Sequence, residues 1–287
     1  TILDGVTGVQ TCALPILIMV VITAFAVLLS IAYDRKELAI LAIIGGFSTP
    51  FILSTGEGNY KILFTYLLIL NCGMLVLAFR KKWTAVTLTC YMFTVLIFGG
   101  WVIGECLQSF KSIHLTTLLF GTAFYLIFFL MSIIYNVKNS VKFQSLEITL
   151  LLSNTFLYYS AGMSLLYYGK MEMYQGLFTA ALGIINFAFA FFLYKKENID
   201  KNLVFLLIGL VLTFISLAAP VQLEGNFITM FWAAEAVLLL WFAQKSNIEL
   251  IKNVSLVIFE LMLISLIMDW VNIYSDLSSE IPLVILL

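Results

Sequence analysis

Charge is what this chain has least of. Only 11% of its 287 residues are Asp, Glu, Lys or Arg, while 62% are hydrophobic; a soluble domain carries roughly 25% charged residues. A folded surface this poor in charge cannot be wetted by water. That excludes a soluble globular class and leaves the lipid bilayer as the solvent and first partner. An excess of either sign is lacking too, since the net charge is −1. No basic stripe can neutralise phosphates, which argues against nucleic acid as a partner. Histidine occurs once and cysteine four times, at Cys12, Cys72, Cys90 and Cys106, each standing alone. Without a CxxC pair or a Cys/His cluster, neither a metal site nor a disulfide framework is indicated. The P-loop, GxSxG, HExxH and Rossmann fingerprints are missing as well, so no cofactor is expected. Long linkers and low-complexity segments do not occur.

What is there is a series of apolar runs divided by short polar turns. A helix rises 1.5 Å per residue, so roughly 20 residues cross the ~30 Å hydrocarbon core. The runs predict ten spans, approximately Leu17–Tyr33, Glu37–Leu53, Tyr60–Phe79, Trp83–Gly104, Leu115–Tyr135, Leu146–Tyr168, Met173–Tyr194, Leu203–Ala219, Phe227–Ala243 and Leu250–Ile273, with an eleventh beginning at Ile281. They are continuous and lack the period-2 alternation of membrane strands, so the expected fold is an all-α polytopic bundle of repeated helical hairpins. Of the fifteen Lys and Arg residues, twelve fall on alternate turns, at Arg35, Lys36, Arg80, Lys81, Lys82, Lys138, Lys142, Lys195, Lys196, Lys201, Lys245 and Lys252. The positive-inside rule then makes the basic turns cytoplasmic and puts a turn at Ser275–Glu280 on the outer side.

The second span carries the first candidate site, Gly45, Gly46, Ser48, Thr49 and Pro50. Pro50 has no N–H, and its ring crowds the carbonyl of Gly46. A kink there frees a backbone oxygen near the two hydroxyls, and in lipid a freed carbonyl must find a partner. Broken helices of this kind line ion and substrate sites in transporters. Equally, the glycine pair can serve only for close helix contact while the hydroxyls satisfy the kink.

The second candidate is a carboxylate pair. Glu235 lies ten residues before Lys245, and Glu260 eight residues after Lys252. That places them about 15 Å and about 12 Å from the same basic surface, on consecutive antiparallel spans. A charge at the bilayer centre costs roughly 2.5–3.5 kcal/mol even on the lenient insertion scale. The helical period puts Trp232 and Leu239 on the Glu235 stripe, and Asn253 and Ile264 on the Glu260 stripe. These stripes are expected to meet, with Asp269 half a turn away and pointing elsewhere. The pair reads either as a proton-coupled or cation site or as two neutral carboxyls hydrogen-bonded across a packed interface. Asn71, Asn154 and Asn186 read as helix-to-helix hydrogen bonds. Glu105, Cys106 and His114 read as an ordinary solvated turn.

Two tracts match as E-G-N-aromatic-x-x-x-F, Glu57–Phe64 and Glu224–Phe231, each preceded by a proline, Pro50 and Pro220. Similar turn chemistry and a duplicated hairpin both account for this. Gly45-Gly46-Phe47-Ser48-Thr49-Pro50, then Ser54-Thr55-Gly56 and Asn59-Tyr60, resemble the bacterial predicted membrane proteins grouped as domain-of-unknown-function family 2339. So do Ala219-Pro220-Val221-Gln222-Leu223-Glu224-Gly225 and the following Trp232, Glu235 and Trp241. The resemblance implies a longer parent protein in a bacterial cytoplasmic membrane, and implies no activity. Val6–Ile16, VTGVQTCALPI, resembles a translated sequencing adaptor. Residues 1–16 are therefore set aside as an expected artefact, and residues 17–287 are taken as a transmembrane fragment truncated at both ends.

Three functional classes remain. A transporter or permease-like protein, with a proton, cation or small molecule as ligand, is favoured by the proline-bearing span and the two glutamates. An envelope enzyme of acyl or glycosyl transfer would need acidic or His residues clustered at one membrane face, which the short outer turns lack. A structural or assembly protein would tolerate loss of both glutamates.

Overall fold

The computed structural model describes residues 18, 20–52, 60–106, 113–139, 141–195, 201–223, 226–246 and 249–280. The segment set aside at the N-terminus, the turn Ser54–Asn59, the Glu224-Gly225 pair, the side chains of Glu105 and Cys106, and Ile281 onward lie outside this description.

Every regular element among the described residues is a helix. In chain order they are α1 (Val20–Ala32), α2 (Lys36–Ile52), α3 (Tyr60–Arg80), α4 (Thr84–Thr94), α5 (His114–Asn139), α6 (Ser145–Tyr168), α7 (Gln175–Tyr194), α8 (Lys201–Gln222), α9 (Asn226–Ser246) and α10 (Glu249–Glu280). Among the described residues, seven helical stretches are each long and apolar enough to cross a membrane; they belong to α3, α4, α5, α7, α8, α9 and α10. The other three depart from that pattern for separate reasons. The described part of α1 and the 17 residues of α2 are short. α6 has 24 residues, but polar side chains dilute it, and those side chains bond its neighbours. Ser153 pairs with Tyr91 of α4 at 2.7 Å, Asn154 donates to the Tyr125 carbonyl of α5 at 3.0 Å, and Tyr158 pairs with Thr122 of α5 at 2.7 Å.

The ten predicted spans correspond one to one with the ten helices, with a single sizeable change at the end. Ser275–Glu280, expected as an outer turn, continues α10 as helix. At 32 residues, α10 is about 48 Å long, so its polar last turns reach beyond the hydrocarbon.

The chain divides into two compact units, residues 1–170 and 171–287. In unit 1, α5 packs along α6 and α3 packs along α5. Its core is rich in rings. Phe64 lies 5.0 Å from Trp101, 5.1 Å from Phe98 and 5.4 Å from Phe120, and Tyr60 stacks on Trp101 at 4.9 Å. Trp101 reaches this cluster from between two π-helical turns that prolong α4, Val95–Gly99 and Val102–Cys106. Two ion pairs among the described residues lie at the unit's basic turns, Lys81 with Asp34 at 2.7 Å and Lys82 with Glu147 at 3.2 Å. In unit 2, α7 packs along α8 and α9 along α10. Gly176 makes the first of these contacts possible, since a Cβ there would collide with the side chain of Gln222.

Candidate functional site

An α-helix pairs each carbonyl with the N–H four residues on, so a proline inside a helix orphans the carbonyl four residues before it. Among the described residues two helices contain a proline, Pro50 in α2 and Pro220 in α8. The orphaned groups are therefore the carbonyls of Gly46 and Ser216. Both are answered in the same way, by an aromatic donor on the following helix. The Tyr66 hydroxyl of α3 donates to Gly46 O at 2.6 Å. The Trp232 indole of α9 donates to Ser216 O through Nε1 at 3.0 Å.

The surroundings of the two carbonyls differ. In α2, Ser48 donates back to Ile44 O at 2.7 Å and Thr49 to Gly45 O at 3.0 Å. The helix runs through Pro50 unbroken to Ile52, and Gly46 packs against Thr23 of α1. The hydroxyls and Tyr66 thus answer backbone oxygens at and beside the Gly45–Gly46 pair. In α8, the Ser216 hydroxyl lies 2.9 Å from Leu212 O and 2.7 Å from Glu235 Oε1. It has one proton to give and two acceptors to give it to. Glu235 is 7% exposed, and its second oxygen, Oε2, is buried without a hydrogen-bond partner. Neither ion pair found among the described residues involves Glu235.

Glu235 and Trp232 thus share a site, as their helical spacing predicts. Glu260 and Asn253 do not join it; both are exposed. The two glutamates differ in the face they present. The side of α10 that packs on α9 carries Ile251, Ser255 and Ile258, all 4% exposed or less. It continues through Ser265, which pairs with Thr229 of α9 at 2.6 Å, and Asp269, which accepts from Thr229 at 2.8 Å. Glu260 is two residues past Ile258, hence about 200° round the helix and on the opposite side. The half-turn between Glu260 and Asp269 was read correctly, but Asp269 is the member that meets α9. On α9 itself, Glu235 sits six residues after Thr229, about 120° away, which turns it from α10 toward α8.

Two other expectations change. Asn71 and Asn154 do bond neighbouring helices, through Thr94 of α4 and Tyr125 of α5, whereas Asn186 donates to Leu182 O of its own helix. His114 is 4% exposed at the start of α5, not solvated.

A buried acid overlooked in the sequence is Glu147, 6% exposed. Its Oε2 accepts from Asn136 at 2.5 Å and from the Gln144 backbone N–H at 2.9 Å, and its Oε1 meets Lys82 at 3.2 Å. The Gln144–Glu147 spacing, with Glu at the third position of α6, was the available signal. For Ser216 the signal was its place four residues before Pro220.

A family model described as Predicted membrane protein (DUF2339) matches residues 11–286 of the chain, beginning inside the segment set aside above. No curated protein and no solved structure matches the chain.

Proposed function

We propose, for a chain that belongs to the DUF2339 family of predicted membrane proteins, a transporter-like role in which Glu235 takes up and releases a proton inside the membrane. The observation that carries this reading is the half-satisfied carboxyl: Oε2 of Glu235 is buried and unpartnered beside the proline-containing helix α8. Intramembrane acids that are not neutralised by a partner mark proton and ion pathways, and proline-interrupted helices supply the backbone oxygens of such sites.

The Ser216 hydroxyl gives the site two states. With Glu235 ionised, Ser216 donates to Oε1, and Leu212 O keeps its ordinary helical N–H. With Glu235 protonated, the carboxyl becomes a donor, and Ser216 can return its proton to Leu212 O while accepting from Glu235. Neither state breaks α8, and Trp232 holds the Ser216 carbonyl in both. The distribution of Lys and Arg favours the basic turns on the cytoplasmic side, and the family resemblance implies a bacterial cytoplasmic membrane.

The test is proton flux into proteoliposomes carrying the full chain, driven by an imposed gradient and read with an entrapped pH dye. Glu235→Gln is expected to abolish flux while leaving abundance unchanged, and Glu260→Gln to leave flux intact. Equal flux in wild type and Glu235→Gln would remove Glu235 from the role and favour the packing reading.

A further inference from the structure

The ion pair at the basic end of unit 1 leaves one strong acceptor over. Glu147 takes a hydrogen bond from Asn136 Nδ2 at 2.5 Å, and a carboxylate only accepts, so Glu147 fixes which end of the carboxamide is the donor. The other end, Asn136 Oδ1, is buried without a hydrogen-bond partner, on a residue 3% exposed. A buried acceptor is costly to leave unanswered. Asn136 lines a cavity of about 20 Å³ together with Lys82, Thr87 and Glu147. That is room for one hydroxyl-sized group. Lys82 Nζ gives one N–H to Glu147 Oε1 and one to the Lys142 carbonyl at 3.3 Å, and an ammonium has three. One wall thus holds an acceptor that lacks a donor and a cation with an N–H to spare.

The charge around the cavity narrows what fits it. The two turns beside it carry Arg80, Lys81, Lys82, Lys138 and Lys142, and the acids paired there are Asp34 and Glu147. Such an excess of positive charge attracts an anion and disfavours an ammonium as the missing donor. A water molecule alone satisfies Oδ1 but leaves the excess unanswered. A phosphodiester that carries a hydroxyl answers both. Trp83 and Tyr135, half-buried in the same wall, are the residue types that sit at headgroup depth. Basic pockets between spans at a membrane surface take anionic lipid headgroups.

We propose that the cavity at Asn136 and Lys82 binds the glycerophosphate headgroup of an anionic phospholipid, with a headgroup hydroxyl donating to Asn136 Oδ1 and the phosphate facing Lys82. The site lies within unit 1 and does not use Glu235, so proton exchange there is not required for it.

Native mass spectrometry of the full chain in detergent, titrated with lipid, tests this. The probes are phosphatidylglycerol and phosphatidylmethanol, which carry the same charge and differ in the headgroup hydroxyls. Wild type is expected to bind phosphatidylglycerol about fivefold more tightly, on the scale of one hydrogen bond to a buried acceptor. Asn136→Leu should bring the two lipids level. So should Thr87→Leu, which fills the cavity and leaves Asn136, Lys82 and Glu147 in place, and which keeps the test decisive where Asn136→Leu fails to fold. Asn139→Leu, at an exposed position three residues on, should keep the preference. Free glycerol phosphate in excess should not displace the lipid. Equal binding of the two lipids by wild type, the result given by a cavity that holds water alone, would overturn the proposal. A preference that survives Thr87→Leu, or displacement by free glycerol phosphate, would overturn it as well.

Discussion

Each unit of the molecule holds one helix with an internal proline and, among the described residues, one buried glutamate. In unit 1 both are closed off. The Gly46 carbonyl has Tyr66, the neighbouring hydroxyls bond within α2, and Glu147 has a cation and two N–H donors. In unit 2 the Ser216 carbonyl is closed by Trp232, but the glutamate beside it has one donor for two oxygens and no cation. The proline alone therefore does not set the two units apart, since the same defect and the same aromatic repair occur in both. The distinguishing feature is what stands next to it: neutral hydroxyls in α2, a titratable and under-satisfied carboxyl in α8. A glutamate with every oxygen answered is a fastener. One left partly open can change its proton without dismantling its surroundings.

The largest effect should come from unfastening Glu147. Lys82→Met leaves a buried carboxylate with its cation gone, which costs about 3 kcal/mol, the lower end of the range for breaking a buried pair because Lys82 is itself partly exposed. Glu235→Gln, with no cation to lose, should cost less than about 1 kcal/mol. Unfolding of the purified protein in mixed micelles by added SDS measures both. Similar losses would show that the two glutamates are not different in kind.

Next are the two aromatic donors. Tyr66→Phe and Trp232→Phe each leave a carbonyl with no helical N–H, so each should lose about 1–2 kcal/mol, the upper part of the range for helix–helix hydrogen bonds in membranes. Restoring the backbone N–H should make the donor redundant. Pro50→Ala should rescue Tyr66→Phe, and Pro220→Ala should rescue Trp232→Phe, giving coupling energies of about 1 kcal/mol in double-mutant cycles. Additive cycles in both pairs would mean that the aromatics serve packing and not the orphaned carbonyls.

The spans, the all-helical class and the orphaned Gly46 carbonyl were legible in the chain because each follows from a local rule: hydropathy over about 20 residues, or the i to i+4 bond that proline removes. The identity of the donors was not. Tyr66 and Trp232 look like any other interior aromatic until the crossing of two helices is known. Glu260 shows where depth reasoning stops. Distance from a basic turn fixes height in the membrane but not azimuth, and nothing local says which side of α10 meets α9. The small polar stripe Ser255, Ser265 and Asp269 is the part of α10 that holds that answer. α6 stands between these cases: its limits were readable, while its polarity became intelligible only with Tyr91, Tyr125 and Thr122 beside it.

The smallest structural effect should carry the sharpest functional contrast, at the two hydroxyls beside the prolines. Thr49 donates to Gly45 O, a carbonyl that already has its place in the α2 ladder, and its hydroxyl also meets that of Tyr66, which keeps its own bond to Gly46 O, so Thr49→Ala should be mild in stability and silent in proton flux. Ser216→Ala should be nearly as mild in stability, about 0.6 kcal/mol, because Leu212 O also keeps its helical donor and Trp232 still serves the Ser216 carbonyl. In flux the two should part. Without the Ser216 hydroxyl, the ionised form of Glu235 has no donor left among the described side chains, and that form must occur once in each proton-transfer cycle. Ser216→Ala should then slow flux by about tenfold, as expected for a charge-assisted hydrogen bond worth roughly 1.5 kcal/mol in one state and little in the other. Ser216→Thr, which keeps the hydroxyl, should restore most of it. If Ser216→Ala and Thr49→Ala prove equally silent in flux, the contrast between the units is one of packing alone.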